Sequence, residues 1–288
     1  MNAPVTFRLA YFMIRHHIRG GHRLLALMRP HWRNRTVDYK LSPALDFTVP
    51  IGRPENCCDL QALREYESEF LSNFCVAIRS LQKVTLFDCG ADIGLFSASV
   101  CARSGNIARV LAFEPNCEVQ DVLLRNLSRL PGGESFPVAV SDFGGYGKLV
   151  RPDYDASEHA RYLAKTESGI PVITIDSLGI RGGDIAIKID VEGGELAVLR
   201  GASETIRSAH AAVVAFESHP DVVTRTGVHP RDCLKLLAKL APFRFVVAET
   251  NEQLNADSPK FPDDRIVNIV GSATVSCHLA RYSENSLT

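Results

Sequence analysis

Residues 83–96 read KVTLFDCGADIGLF, and this stretch decides the fold. An apolar, β-prone run, Val84-Thr85-Leu86-Phe87, stops at an acid, Asp88. A turn with glycines at 90 and 94 follows, and an amphipathic run through Ile93, Leu95, Phe96 and Val100 begins. The order is strand, tight turn and helix start, with a carboxylate where the strand ends. In open α/β sheets, nucleotide-like ligands bind at such junctions, because the crevice lies beyond the carboxyl ends of the strands.

On both sides of this junction, apolar β-runs alternate with helical patterns. Upstream lie a short strand, LDFTV, framed by prolines, and an apolar-striped helix over 59–79. Downstream, strand 109–114 (RVLAFE) passes through Pro115-Asn116 into a helix over 117–130, and strand 136–140 (FPVAV) ends at Ser141-Asp142. Residues 143–170 are polar and Gly-rich and read as a hairpin or loop. Strand 184–190 (DIAIKID) runs through Val191-Glu192-Gly193-Gly194 into a helix over 195–208, and strand 212–217 (AVVAFE) ends before Ser218-His219-Pro220. A helix over 230–240, strand 243–249, a polar loop and strand 265–271 complete the pattern. Repeated βα units predict a mostly parallel, Rossmann-like sheet with helices on both faces. The last two strands, joined without a helical pattern, predict an antiparallel hairpin at its edge.

A chain of 288 residues suits one α/β domain with an extension. The division predicted here is a basic extension with a short strand over 1–60 and the main domain over 61–288. The net charge of −1 hides an asymmetry: residues 1–37 hold seven Arg, no Lys and no acid, leaving 25 basic against 33 acidic residues beyond them. An acidic body argues against a nucleic-acid partner. In the arm, Phe7, Tyr11, Ile14 and Ile18 fall at helical spacing, with Arg8, Arg15 and Arg19 on another face. Two readings stay open: a basic helix making peripheral contact with an anionic membrane or acidic partner through residues 1–37, or a helix packed on the main domain with its arginines solvated. No run reaches the length of a membrane span, and no clean secretory signal is present. The eight cysteines form no CxxC pair, which points to a reducing, cytoplasmic setting and away from a dedicated metal cluster.

Four strands finish on an acid: Asp88, Glu114, Asp190 and Glu217. Glu114 lies 26 residues after Asp88, where a carboxylate can accept both ribose hydroxyls of an adenosine group. The turn Gly90-Ala91-Asp92-Ile93-Gly94 lacks the GxGxxG spacing of dinucleotide sites, and acids at 88 and 92 repel a pyrophosphate. They tolerate a ligand bearing an ammonium or sulfonium, which describes S-adenosylmethionine.

DCGADIG (88–94), AFEPN (112–116), Asn126 in the following helix, VAVSD (138–142) and IKIDVEGGE (187–195) together resemble the FkbM-type S-adenosylmethionine-dependent methyltransferases. The resemblance runs over about residues 66–220, with Tyr66-Glu67 resembling a Tyr-Glu element upstream of the first strand. It implies a seven-stranded methyltransferase sheet, methylation of hydroxyl groups on sugars or small natural products, and cofactor contacts at Asp88, Gly90, Gly94, Glu114 and Asp142. Asp92 stands where the family usually has Asn, and Asn116, Ser141 and Asp190 complete the candidate cofactor set.

Methyl transfer is an in-line displacement, so catalysis is mostly alignment and exclusion of water. A hydroxyl acceptor must also lose a proton. Asp190, Glu192, Glu217 and His219 are the candidates to take it, with His219 first because its ordinary pKa lies nearest neutrality. Asp190, Glu217 and His219 could instead share a divalent metal. Lys188 shares a strand face with Asp190 and is expected to pair with an acid. The competing class is a non-catalytic cofactor-binding scaffold docked through the basic arm.

Overall fold

The structure is a computed structural model that describes residues 4–32, 35–51, 60–150, 162–220, 226–255, 257 and 261–275. In chain order, helices α1 (Val5–Arg15) and α2 (Gly21–Trp32) precede a hairpin of β1 (Thr36–Ser42) and β2 (Leu45–Pro50), then α3 (Leu60–Glu65) and α4 (Ser68–Ile78). The central units are β3 (Val84–Cys89), α5 (Leu95–Arg103), β4 (Ile107–Phe113), α6 (Gln120–Leu127) and β5 (Gly133–Phe136). A small sheet follows, built from β6 (Ala139–Val140), β7 (Gly145–Val150), β8 (Tyr162–Thr166) and β9 (Ile170–Ile173). The chain then returns through β10 (Asp184–Ile189), α7 (Glu195–Arg200), α8 (Ser203–Ser208), β11 (Ala211–Ser218), α9 (Arg231–Leu240), β12 (Arg244–Val247), β13 (Gln253–Leu254) and β14 (Val267–Thr274).

The main sheet has the order β13-β12-β14-β11-β10-β3-β4-β5. The five strands from β11 to β5 are mutually parallel, and β12, β13 and β14 join antiparallel. Period-two alternation gives each central strand two buried faces. Phe87, Leu111, Ile187 and Val214 pack with side chains of α7, α8 and α9. Leu86, Val110, Ala186 and Val213 pack with side chains of α4, α5 and α6. The result is a three-layer sandwich whose crevice edge is framed on both sides.

The structure departs from the sequence expectations at four places. The sheet has eight strands among the described residues, where seven were expected, because the two-residue β13 pairs with β12 inside what reads as a polar loop. The 136–140 run divides at Pro137, which has no N–H for a ladder; β5 stays in the main sheet and β6 joins the small one. The 195–208 helix breaks at Gly201, where a Cβ would stand 2.1 Å from the Ser141 carbonyl oxygen. The closing pair β12 and β14 is antiparallel as expected, yet β14 lies inside the sheet between β11 and β12.

The region before β3 is fuller than its one expected strand. β1 pairs antiparallel with β2 from Thr36↔Pro50 to Ser42↔Leu45, and Phe47 and Val49 share the core of α5 and α6. Cys75, Cys89, Cys101, Cys117 and Cys233 are free thiols. Cys57, Cys58 and Cys277 lie outside the described residues. Among the described residues no helix is long and apolar enough to cross a membrane.

Candidate active site

The chain runs outward from β3 to β4 to β5, then returns to β10 on the opposite side of β3. The sheet's winding therefore reverses between β3 and β10, where a ligand crevice is expected. The four strand-end acids come together along this edge. In the register, Cys89 lies opposite Phe113, which sets Gly90 beside Glu114. Ile189 lies opposite Phe216, which sets Asp190 beside Glu217.

The floor of the junction is a buried ion cluster. Asp88 is 0% exposed; its Oδ2 accepts a hydrogen bond from Ser97 Oγ at 2.6 Å, and its Oδ1 has no hydrogen-bond partner. Lys188, opposite it on β10, stands 3.5 Å from Asp88 Oδ1 and 3.2 Å from Asp190 Oδ2. It also donates to the Gly90 carbonyl at 2.9 Å, and its ammonium lies 5.7 Å from the centre of the Phe96 ring. Burial works against the Lys188 cation, but the charges of Asp190 and Asp88 outweigh it and hold its pKa well above the ordinary value. A buried cation flanked by two carboxylates is a stable anchor only while all three are present. Asp88 thus turns its carboxylate inward, beneath the turn, whereas Asp190 is partly exposed above it.

The turn over this floor is set by close approach. Gly90 has φ +78°, and a Cβ there would lie 1.9 Å from the Asp190 carbonyl oxygen, so no other residue fits. Asp92 adopts the left-handed region at φ +48° and is exposed. Gly94, at φ +82°, opens α5. Glu114 grips the turn with both oxygens: Oε2 accepts from Asp92 N at 2.9 Å and Oε1 from Asn116 N at 2.8 Å. Burial pushes the Glu114 carboxyl up, and these two N–H bonds oppose that push. Asn116 is exposed and caps its own turn, accepting from Glu118 N at 3.0 Å. Asn126, 1% exposed on α6, ties the assembly to the β1–β2 hairpin. Its Nδ2 donates to Ile93 O at 2.8 Å and to Thr48 O at 3.0 Å, and its Oδ1 accepts from Thr48 N at 2.8 Å.

Ser141 and Asp142 follow β6 and so belong to the small sheet. Ser141 is buried, its N–H bonded to Ile173 O, and both residues press against Gly201. Asp142 is exposed, with Arg200 at 3.8 Å.

On the β11 side the crevice is ringed by carboxyl groups. Glu217 is pushed up to about 7, first by burial and then by the charges of Asp190, Glu192, Glu195 and Glu67. Glu195, 6% exposed, accepts from Gly193 N at 2.9 Å and is also pushed up to about 7, by burial above all. Glu67 is exposed at its surface, yet the packed surroundings raise its carboxyl, with Lys188 opposing, and burial raises the neighbouring Tyr66 phenol well above its ordinary value. His219 is half-buried one residue beyond β11. Among the described residues no group of three His, Cys, Asp or Glu is arranged to hold a metal ion. Glu67 and Glu195 were not among the expected site residues. Both lie in stretches that carry the family resemblance, Tyr66-Glu67 and IKIDVEGGE, but Glu67 sits at φ +40° ahead of α4 and Glu195 in the first turn of a helix, placements that the local pattern does not direct into the crevice.

Residues 88–245 match the model of the methyltransferase FkbM domain. The hexuronic acid methyltransferase AglP of Haloferax volcanii is 30% identical over 160 residues, covering 54% of this chain and 61% of that protein, so the match spans about three fifths of the relative's length. Among solved structures, a methyltransferase FkbM from Methylobacillus flagellatus is 17% identical, with 88% of this chain and 60% of that chain covered and a TM-score of 0.40. M. jannaschii TYW2 in complex with AdoMet is 11% identical, with 83% and 84% covered and a TM-score of 0.40. Matched by that family model over more than half its length, this chain belongs to the FkbM family of S-adenosylmethionine-dependent methyltransferases.

Proposed function

We propose that this protein transfers a methyl group from S-adenosylmethionine to a hydroxyl of a sugar or similar polyol. The observation that carries the reading is Glu217, a half-buried carboxyl whose pKa is raised to about 7, aligned with Asp190 at the reversal point of the sheet. A base is most effective when its pKa lies near the working pH, because it is then both ionised and willing to take a proton. The relative AglP, named as a hexuronic acid methyltransferase, supports a sugar acceptor.

The residues at the crevice fit the cofactor. Each Glu114 oxygen uses one acceptor site on a backbone N–H and keeps another for a ribose hydroxyl. Gly90 and Gly94 let the turn close tightly, since a Cβ at Gly90 would strike the Asp190 carbonyl and one at Gly94 would crowd Leu123, and this tight turn is the wall offered to the cofactor. When bound, the cofactor supplies an electrophilic methyl on a sulfonium. Asp190, held by Lys188, faces the cationic part of that ligand, and Asp92 adds negative charge at the turn. Asn116, Ser141 and Asp142 complete the proposed cofactor contacts. Glu217 would orient the acceptor hydroxyl and take its proton as the oxygen gains the methyl carbon, the carbon–sulfur bond giving way to leave a neutral thioether. The carboxyl ring of Glu67, Asp190, Glu192 and Glu217 disfavours phosphate-bearing acceptors, which supports a partner other than nucleic acid.

The test is methyl transfer from labelled cofactor to a panel of neutral sugars and uronic acids. Cofactor binding is followed in parallel by calorimetry. Glu217→Gln is expected to lower kcat by about 10²–10⁴-fold while leaving cofactor affinity within a few-fold. The wild-type rate should rise with pH and level off above about 7, the value to which Glu217 is raised. Near-full turnover in Glu217→Gln with its loss in His219→Ala moves the base to His219. Cofactor binding with no product on any acceptor points to the scaffold reading.

A further inference from the structure

Helix α1 carries two apolar faces. Phe7 and Ala10, 1% and 0% exposed, are buried with Leu25, Trp32, Val37 and Ile51, and Tyr11 and Ile14 pack against them. The Phe7 ring meets Trp32 edge-on at 5.4 Å between centroids. That face accounts for most of the apolar spacing seen in sequence, except that Ile18 is 46% exposed. On the opposite side, Val5, Leu9 and Phe12 are 78%, 51% and 54% exposed. Steps of four and three residues stack them into one stripe. On α2, Leu27 is 70% exposed. Arg8, Arg19 and Arg23 are exposed in the same region, and residues 1–37 hold seven Arg and no acid.

Scattered exposed apolar residues need no explanation, but a continuous stripe on one helix does. We propose that the outer stripe of α1 docks the protein on an anionic lipid bilayer. Val5, Leu9 and Phe12 enter the boundary between headgroups and acyl chains, and the surrounding arginines meet the anionic headgroups. Charge decides the occupant's sign: an acid-free segment with seven arginines complements a negative surface. Shape favours lipid over a folded protein. A convex apolar stripe can sink into a fluid interface, whereas docking on a protein requires a groove to receive it. The inference stands independently of the methyl-transfer reading.

The experiment is co-sedimentation of the full-length protein with vesicles of pure phosphatidylcholine or of equimolar phosphatidylcholine and phosphatidylglycerol. Binding is expected only to the anionic vesicles, and it should weaken as salt screens the arginines. Because Leu9 and Phe12 are exposed, Leu9→Ser with Phe12→Ser should keep the melting temperature and lower vesicle affinity about tenfold or more. Arg19→Gln with Arg23→Gln should cost roughly fivefold per arginine. No binding to anionic vesicles at low salt overturns the proposal. So does unchanged binding of the Leu9/Phe12 variant. If that variant instead turns a dimer into a monomer with no change on vesicles, the stripe belongs to a second copy of the chain.

Discussion

At the scale of single residues, Lys188 is the most consequential side chain in the structure. It reaches two carboxylates and the Gly90 carbonyl from a position that is 4% exposed. Replacing it with Met leaves the fully buried Asp88 without its counter-charge, which should cost about 3–5 kcal/mol of folding stability. The double variant Lys188→Met with Asp88→Asn should recover a substantial part of that loss, because it removes the orphaned charge as well. Chemical denaturation of both variants checks this; equal destabilisation in the two would mean the ion pair is not the source. Glycine at position 90 and the acids at 88, 114, 190 and 217 were legible in the sequence, since strand ends announce themselves by pattern. That Asp88 faces inward and Glu114 grips two backbone N–H groups was not legible. Asp88 is turned by Lys188 on a strand that returns from far along the chain, and Glu114 by the way the two turns after β3 and β4 fold over each other, so neither direction is written in the local pattern.

At the scale of elements, Asn126 on α6 is the link between the β1–β2 hairpin and the crevice turn. Three hydrogen bonds pass through its amide, two to Thr48 and one to Ile93. Asn126→Ala leaves buried backbone groups unpaired, with an expected cost of about 3 kcal/mol. Because Ile93 lies within the Gly90–Gly94 turn, cofactor affinity should fall as well. Calorimetry on the variant checks this second effect, and an unchanged cofactor Kd would show that the hairpin does not support the turn. β2 was legible in the sequence but β1 was not, because its residues TVDYKLS carry only one buried apolar position, Val37. β1 is stabilised by its partner across the hairpin, and Thr48 Oγ1 donates to Asp38 across that pair. The single strand expected over 136–140 became two strands in different sheets because Pro137 ended one ladder.

At the scale of the whole molecule, the carboxyl ring sets how stability depends on pH. Glu195 holds its proton up to about pH 7 in the folded protein, whereas an unfolded glutamic acid releases it near 4.3. Between those values the native state binds more protons than the unfolded chain, so stability falls as pH rises through this window and levels off above it. The loss from Glu195 is on the order of 3 kcal/mol, and Glu217 acts in the same direction. Thermal melts between pH 5 and 8 should show the decline. In Glu195→Gln the slope should flatten, with the variant gaining on the wild type at the alkaline end. Parallel melting curves for the two proteins would place the pH dependence elsewhere.

The sequence by itself determined the alternation of strands and helices, the position of the glycine turn and the placement of acids at successive strand ends. These are local properties: periodicity, turn chemistry and the limits of apolar runs act within a few residues. Only the tertiary structure decided which strands stand side by side, and therefore that Asp88 meets Lys188, Asp190 aligns with Glu217, and Glu67 and Glu195 complete the ring. Those pairings join segments far apart in the chain, and burial, which raises Glu195 and Glu217 to about 7, exists only after the layers have packed. The charge of the KVTLFDCGADIGLF junction was written locally; its chemistry was made by the strand that returned beside it.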